Sequence, residues 1–153
     1  MSALANSVPH IRDMTEADLG RVMAIESSIY THPWTRGNFL DSIKAGYCCE
    51  VMEVGGEVVA YGVLVIAAGE AHVLNVSVAR PWQRRGYGRT LLLRFIDQSR
   101  HAGALQMLLE VRQSNEGGRG LYASMGFRRM AVRPGYYPAV HGREDAILMG
   151  LDL

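Results

Sequence analysis

Hydrophobic and polar positions switch between two periods along the chain, and the switches mark the elements. A short strand is predicted around Pro9 to Met14. Thr15-Glu16-Ala17-Asp18 then carries a capping-box pattern. Leu19, Val22, Met23, Ile25 and Ile29 follow at helical spacing, so a helix of about 15 residues is expected. A shorter helix is expected from Thr35 to Lys44, with Phe39, Leu40 and Ile43 on one side and Gly46 ending it. Cys48 to Val54, Gly55-Gly56 and Glu57 to Ile66 read as a β-hairpin, because two glycines supply the positive φ angles of a two-residue turn.

Ala71 to Ala79 alternates as a third long strand, with Val73, Asn75 and Ser77 on one face and Leu74, Val76 and Val78 on the other. Gly88 to Ala102 is a helix with Leu92, Phe95 and Ile96 at core spacing, and Leu105 to Val111 is a strand. Asn115 to Met125 is a further helix, and Phe127 to Arg133 and Asp145 to Leu153 finish as strands. The order β-α-α-β-β-β-α-β-α-β-β implies an α/β chain with a mixed sheet and helices on its faces.

Composition fits that picture and removes others. With 153 residues, 48% hydrophobic and 20% charged, and no repeat or Pro/Ser-rich linker, residues 1 to 153 read as one domain. The longest apolar run, Val63 to Ala68, is far short of the ~18 to 20 residues of a membrane-spanning helix. Met1 to His10 has no basic region followed by an apolar one, so no leader and a cytoplasmic location are expected. Cys48 and Cys49 are adjacent, with α-carbons only ~3.8 Å apart, and read as free thiols. The five histidines form no metal-ligand spacing, so no metal site is expected.

The net charge of +1 hides an uneven distribution. Arg80 to Arg133 holds 11 arginines against Asp97, Glu110 and Glu116, or +8, whereas Met1 to Ala79 carries −5 and Pro134 to Leu153 carries −2. The basic stretch suits a phosphorylated small molecule. It lacks the interleaved aromatics of a nucleic-acid stacking platform, so no direct nucleic-acid partner is expected.

Within it, Gln83-Arg84-Arg85-Gly86-Tyr87-Gly88 lies between a strand and a helix. Main-chain N–H groups there can converge on an anion at the helix N-terminus. A Rossmann fingerprint would need glycine at Leu91, and a Walker A loop would need Gly-Lys-Ser/Thr where Gly88-Arg89-Thr90 stands. Neither fits. The remaining pattern, Arg/Gln-x-x-Gly-x-Gly/Ala opening a helix, resembles the GNAT acyltransferase superfamily.

Further segments extend the resemblance over essentially the whole chain: Pro33-Trp34, Leu109 to Asn115, Leu121 to Phe127, Tyr136-Tyr137-Pro138 and Gly142 to Ala146. Together they look like the RimI-type N-terminal acetyltransferases. The resemblance implies a GNAT fold, with a mostly antiparallel mixed sheet and about four helices. It also implies acetyl-CoA as co-substrate and the N-terminal alanine of a small-subunit ribosomal protein as acceptor, in a monomeric enzyme that works by direct attack.

Roles carry over onto matching positions. Arg84, Arg85, Gly86, Tyr87, Gly88 and Arg89 would hold the pyrophosphate of acetyl-CoA, and Asn115 would both cap its helix and touch CoA. Val76, Ser77 and Val78 would pair with the pantetheine arm through main-chain groups, an N–H there polarising the acetyl carbonyl. Glu110 matches the general base and Tyr122 the general acid. Trp34, Tyr136, Tyr137 and Glu144 would line the peptide entrance, and Arg143 and Asp145 would hold the last hairpin together. An α-amine has a pKa of about 8 against about 10.4 for lysine, so the base has about 3 kcal/mol less to supply.

Gly117, Gly118 and Gly120 in the Tyr122 helix and Gly135 before the tyrosine pair depart from the family pattern. The competing readings are an acetyltransferase for lysine side chains or small amines, and a non-catalytic CoA-binding module. A basic ribosomal-protein N-terminus would suit the acidic segments that flank the arginine-rich stretch.

Overall fold

A computed structural model describes residues 8–153. The reading of the first residues as lacking a leader falls largely on 1–7, outside the described residues. The elements run β1 His10–Asp13, α1 Leu19–Ile29, α2 Arg36–Lys44, β2 Cys48–Val54, β3 Glu57–Ala67, β4 Glu70–Val78, α3 Tyr87–His101, β5 Gln106–Arg112, α4 Glu116–Ser124, β6 Arg128–Pro138 and β7 Arg143–Asp152. The strands hydrogen-bond in the order β1-β2-β3-β4-β5-β7-β6. The β4/β5 pair is parallel, as its α3 crossover requires, and the pairs β1/β2, β2/β3, β5/β7 and β6/β7 are antiparallel. Among the described residues this is the expected mixed, mostly antiparallel sheet with four α-helices.

Contacts group the chain into two compact units, residues up to Leu64 with Asn75–Arg94, and Val65–Leu74 with Phe95–Leu153. In the first unit, α1 and α2 bury Leu19, Val22, Ile25 and Phe39 against Cys49, Val51, Tyr61 and Val63 of β2 and β3. Burying each large apolar side chain contributes about 2 kcal/mol. The helical run after Thr15 begins as a 3-10 turn, Glu16–Asp18, before continuing as α1. Asp18 accepts from the Thr15 N–H at 2.8 Å and from Arg12, which also pairs with Glu53. The Thr35 hydroxyl caps α2 by accepting from the Asn38 N–H at 3.1 Å. Gly55 and Gly56 turn the β2–β3 hairpin with φ of 61° and 82°.

In the second unit, β5 pairs with β7 and β7 with β6. β6 extends to Pro138 and β7 starts at Arg143, both beyond the expected limits. The reason is a pairing irregularity between Arg133 and Tyr137, after which Tyr137↔Glu144 and Pro138↔Arg143 resume the ladder. Gly135 sits there at φ 58°, held by its N–H to Asp145 Oδ1 at 2.9 Å and by Arg143 to its carbonyl. Arg143 and Asp145 thus hold the hairpin as expected. β6 ends the strand order, and its irregularities and exposed Arg128, Arg129 and Arg133 guard its open edge against further pairing.

Candidate active site

The anion loop belongs to the first unit. Arg84 takes φ 62° and Gly86 φ 84°. Alternating positive and negative φ turns successive N–H groups toward a common point, the geometry of an anion nest. The first α3 bond runs from Thr90 N–H to Gly86 O at 3.0 Å, so the N–H groups of Tyr87 and Gly88 lie ahead of the helical ladder. Arg84 and Arg85 are exposed, and the Arg85 guanidinium stands over the Trp82 ring at 5.1 Å. The residues present therefore fit a phosphate-bearing group. The Gln83 amide donates to Val78 O at 2.9 Å, tying the loop to the end of β4.

Along β4, Ala71, Val73, Asn75 and Ser77 are buried, and His72, Val76 and Val78 are half-buried with Leu74 exposed. The alternation is the expected one. The parallel ladder to β5 ends at Val73↔Leu109, although β4 continues to Val78 and β5 to Arg112.

Ser77 also contributes its side chain to a buried network. Its Oγ donates to Asn75 Oδ1 and lies 2.6 Å from the Tyr30 hydroxyl. Asn75 donates to Glu26 Oε1 at 3.2 Å, as does the Tyr61 hydroxyl at 2.7 Å, and the Trp34 N–H donates to Glu26 Oε2 at 2.9 Å. Burial raises the Tyr30 and Tyr61 pKa values, and Glu26 raises them further. The sequence offered one signal for this network, a glutamate among the apolar positions of α1. The Trp34 ring packs 5.0 Å from Phe39 and is half-buried.

The second unit holds the candidate acid and base. Glu110, on β5 and paired with Leu148 of β7, is half-buried. Its Oε1 lies 3.6 Å from Arg133, and its Oε2 is buried and accepts no hydrogen bond among the described residues. A buried carboxylate oxygen without a donor is costly, which makes it a strong acceptor for any N–H or O–H that reaches it. Tyr122, on α4, packs with its ring tilted 59° against Phe127 at 5.8 Å and is half-buried. Asn115 caps α4, its Oδ1 accepting from the Gly118 N–H at 2.9 Å.

Of the residues expected to meet the peptide, Tyr136, Tyr137 and Glu144 come together on the β6–β7 hairpin. The tyrosine rings stand edge to face at 5.0 Å, and the Arg112 guanidinium covers Tyr137 at 4.5 Å. Burial first, and then the charge of Glu110, pushes the Tyr137 phenol up to about 12. Glu144 accepts from Arg112 and from Ser114, contacts the sequence reading did not foresee.

A cleft of about 500 Å³ beside α4, lined by Gly120, Ile147 and Met149 among others, contains none of the expected catalytic, cofactor-binding or peptide-facing residues. Among the described residues no cluster of ligating side chains could hold a metal, and no helix is long and apolar enough to cross a membrane.

The model of the acetyltransferase (GNAT) family matches residues 19–127. The ribosomal protein bS18-alanine N-acetyltransferase of Escherichia coli K12 is 34% identical over 143 residues, 94% of this chain and 97% of that one. The enzyme of the same name from Haemophilus ducreyi is 33% identical over 144 residues, 94% and 99% of the two chains. Among solved structures, the ribosomal-protein-S18-alanine N-acetyltransferase of Escherichia coli superposes with a TM-score of 0.88 at 33% identity, over 95% of this chain and 94% of that one. Ard1 of Thermoplasma volcanium superposes with a TM-score of 0.85 at 27% identity, over 95% and 97%. With a family model spanning most of its length and relatives above 30% identity covering nearly all of it, the chain belongs to the GNAT acetyltransferase family.

Proposed function

We propose that this protein transfers the acetyl group of acetyl-CoA to the N-terminal α-amine of a ribosomal protein, alanine being the acetylated residue. The relatives that match over nearly the whole chain bear that activity in their names. The family match draws on both compact units, which supports reading residues 1–153 as one catalytic domain. A ribosomal-protein acceptor fits a cytoplasmic enzyme, and the enzyme works as a monomer.

The observation that carries the reading is the unfilled buried Oε2 of Glu110. Acetyl-CoA supplies an acetyl group already activated as a thioester. Glu110 accepts a proton from the attacking amine, directly or through a water, and leaves its lone pair free to form the new N–C bond. The Tyr122 hydroxyl gives a proton to the departing thiolate. A main-chain N–H within Val76–Val78 polarises the carbonyl, and the loop from Arg84 to Arg89, with Asn115, holds the phosphate-bearing part. Trp34, Tyr136 and Tyr137 wall the acceptor peptide, and Glu144 acts on that wall through Arg112.

The test is direct. The enzyme is incubated with acetyl-CoA and a peptide bearing both a free N-terminal alanine and an internal lysine, and the product is mapped by mass spectrometry while thiol release is followed. Acetylation of the α-amine is expected, and acetylation confined to lysine rejects the reading.

A further inference from the structure

A carboxylate buried in an apolar core is expensive, and α1 contains one. Glu26 is 2% exposed amid Leu19, Val22 and Ile25, and no cation pairs with it among the described residues. Three donors satisfy it instead. They come from three places: the main-chain N–H of Trp34 in the α1–α2 loop, the Tyr61 hydroxyl on β3 and the Asn75 amide on β4. A leucine or methionine would fill the same volume without a desolvation cost, so the charge does something that packing alone would not.

The acceptor fixes the direction of every bond behind it. Because Asn75 turns its Nδ2 to Glu26, its Oδ1 faces Ser77 and takes the only hydroxyl proton that Ser77 has. The 2.6 Å contact between Tyr30 and Ser77 must then run from the Tyr30 hydroxyl to Ser77 Oγ. Tyr30 C-caps α1 and Trp34 follows four residues later. Both ends of the Tyr30 to Trp34 segment are therefore tied to the strand that carries Val76 and Val78, Tyr30 directly through Ser77 and Trp34 through the Glu26 carboxylate.

We infer that Glu26 is a positioning residue that locks the α1–α2 loop at Trp34 to β4, so that acceptor recognition depends on a buried charge with no role in proton transfer. This rests on the proposed function, in which Trp34 walls the peptide and β4 receives the acetyl carbonyl. Glu26→Gln supplies an amide in place of one carboxylate oxygen, and that amide meets the Trp34 N–H or the Tyr61 and Asn75 donors with a donor of its own. A merely structural residue would lower the folded fraction and leave both KM values alone. A positioning residue moves one of them.

The experiment compares wild type, E26Q and Y61F for acetylation of a peptide with N-terminal alanine. Acrylamide quenching of Trp34 is read in a Trp82→Phe background, which leaves Trp34 as the only tryptophan. E26Q is expected to raise the peptide KM about tenfold while the acetyl-CoA KM stays within about twofold, and to increase Trp34 quenching at least twofold. Y61F, which removes one donor and keeps the carboxylate, is expected to shift both readouts the same way by a smaller factor. A folded E26Q with unchanged peptide KM and unchanged quenching overturns the inference. Where E26Q does not fold, an unchanged Y61F in both readouts does so. If wild type acetylates no peptide, the proposed function fails, and the quenching of Trp34 alone still decides the link to Glu26.

Discussion

Arg112 holds Glu144 with an Nη1–Oε1 bond of 2.9 Å, and the same nitrogen reaches Pro138 O at 2.7 Å. Glu144 Oε2 accepts the Ser114 N–H at 3.2 Å, so both carboxylate oxygens are engaged within the protein. The guanidinium that makes these bonds also lies over Tyr137. Glu144 thus belongs to the proposed peptide wall as the anchor of Arg112, whose guanidinium covers the tyrosine. A substrate amine would have to break this arrangement to reach the carboxylate.

Removing that charge has a defined pH signature. Hydrogen bonding from Arg112, foremost, holds the Glu144 carboxyl below its ordinary value, against a smaller opposing effect of burial. A depressed folded-state pKa stabilises the fold above the unfolded pKa of about 4.3, and that contribution is lost as pH falls through the folded value. Glu144→Gln should therefore cost about 1 kcal/mol at pH 7 and progressively less below about pH 4. Urea unfolding of both proteins at pH 7 and pH 3 measures it. A cost that is equal at both pH values would mean that the carboxylate is not what stabilises the hairpin.

Glu110→Gln keeps the shape of the side chain and removes its basicity. A general base contributes about 10²- to 10⁴-fold, so kcat/KM for the peptide should fall by about that factor. Acetyl-CoA affinity, measured by calorimetry, should hold within about twofold, because the proposed cofactor contacts lie elsewhere. Tyr122→Phe should show the same split, with its loss in kcat rather than in either KM. Retained kcat/KM in both variants would remove Glu110 and Tyr122 from the base and acid roles.

What the sequence revealed divides by the range of the interaction. Element order, the Gly55-Gly56 turn, the Asn115 cap and the buried alternation along β4 depend on residues close in the chain, and all were legible. The Ala68-Gly69 turn between β3 and β4 was not, because alanine at φ 52° carries no turn signature. The Glu26 network and the Arg112–Glu144 pair join residues 8 to 49 positions apart, and only the folded chain brings them together. The candidate acid, base and phosphate loop were legible through motifs. Their supports were not.

Two glycines of α4 should respond differently to alanine. A Cβ at Gly120 meets nothing within 4 Å, so Gly120→Ala should stabilise by about 0.5 to 1 kcal/mol through helix propensity. A Cβ at Gly118 would stand 2.6 Å from Asn115 Nδ2, the side chain that caps the helix. Displacing a cap costs about 1 kcal/mol, which offsets the propensity gain and leaves Gly118→Ala neutral or destabilised. Thermal unfolding of the two variants decides it. Equal stabilisation would show that the cap contributes nothing.

Ionic strength separates the two charged surfaces. Arg84 and Arg85 are exposed beside the proposed phosphate site, and exposed charges are screened as the Debye length shrinks from about 10 Å at 0.1 M to about 3 Å at 1 M salt. The acetyl-CoA KM should rise several-fold over that range, and the double variant Arg84→Ala, Arg85→Ala should flatten the rise. The acidic surplus of the first 79 residues leads to the opposite expectation for a basic peptide. Glu16, Asp18, Glu53 and Glu57 pair with arginines already counted in that surplus, Glu50 pairs with Arg94 and Glu26 is buried, so these six carboxylates act mainly at short range. The KM for a basic N-terminal peptide should change less than about twofold between the same salt concentrations. A steep rise for the peptide with a flat acetyl-CoA KM would reverse the assignment, making the acidic segments the steering surface and the arginine loop a solvated face.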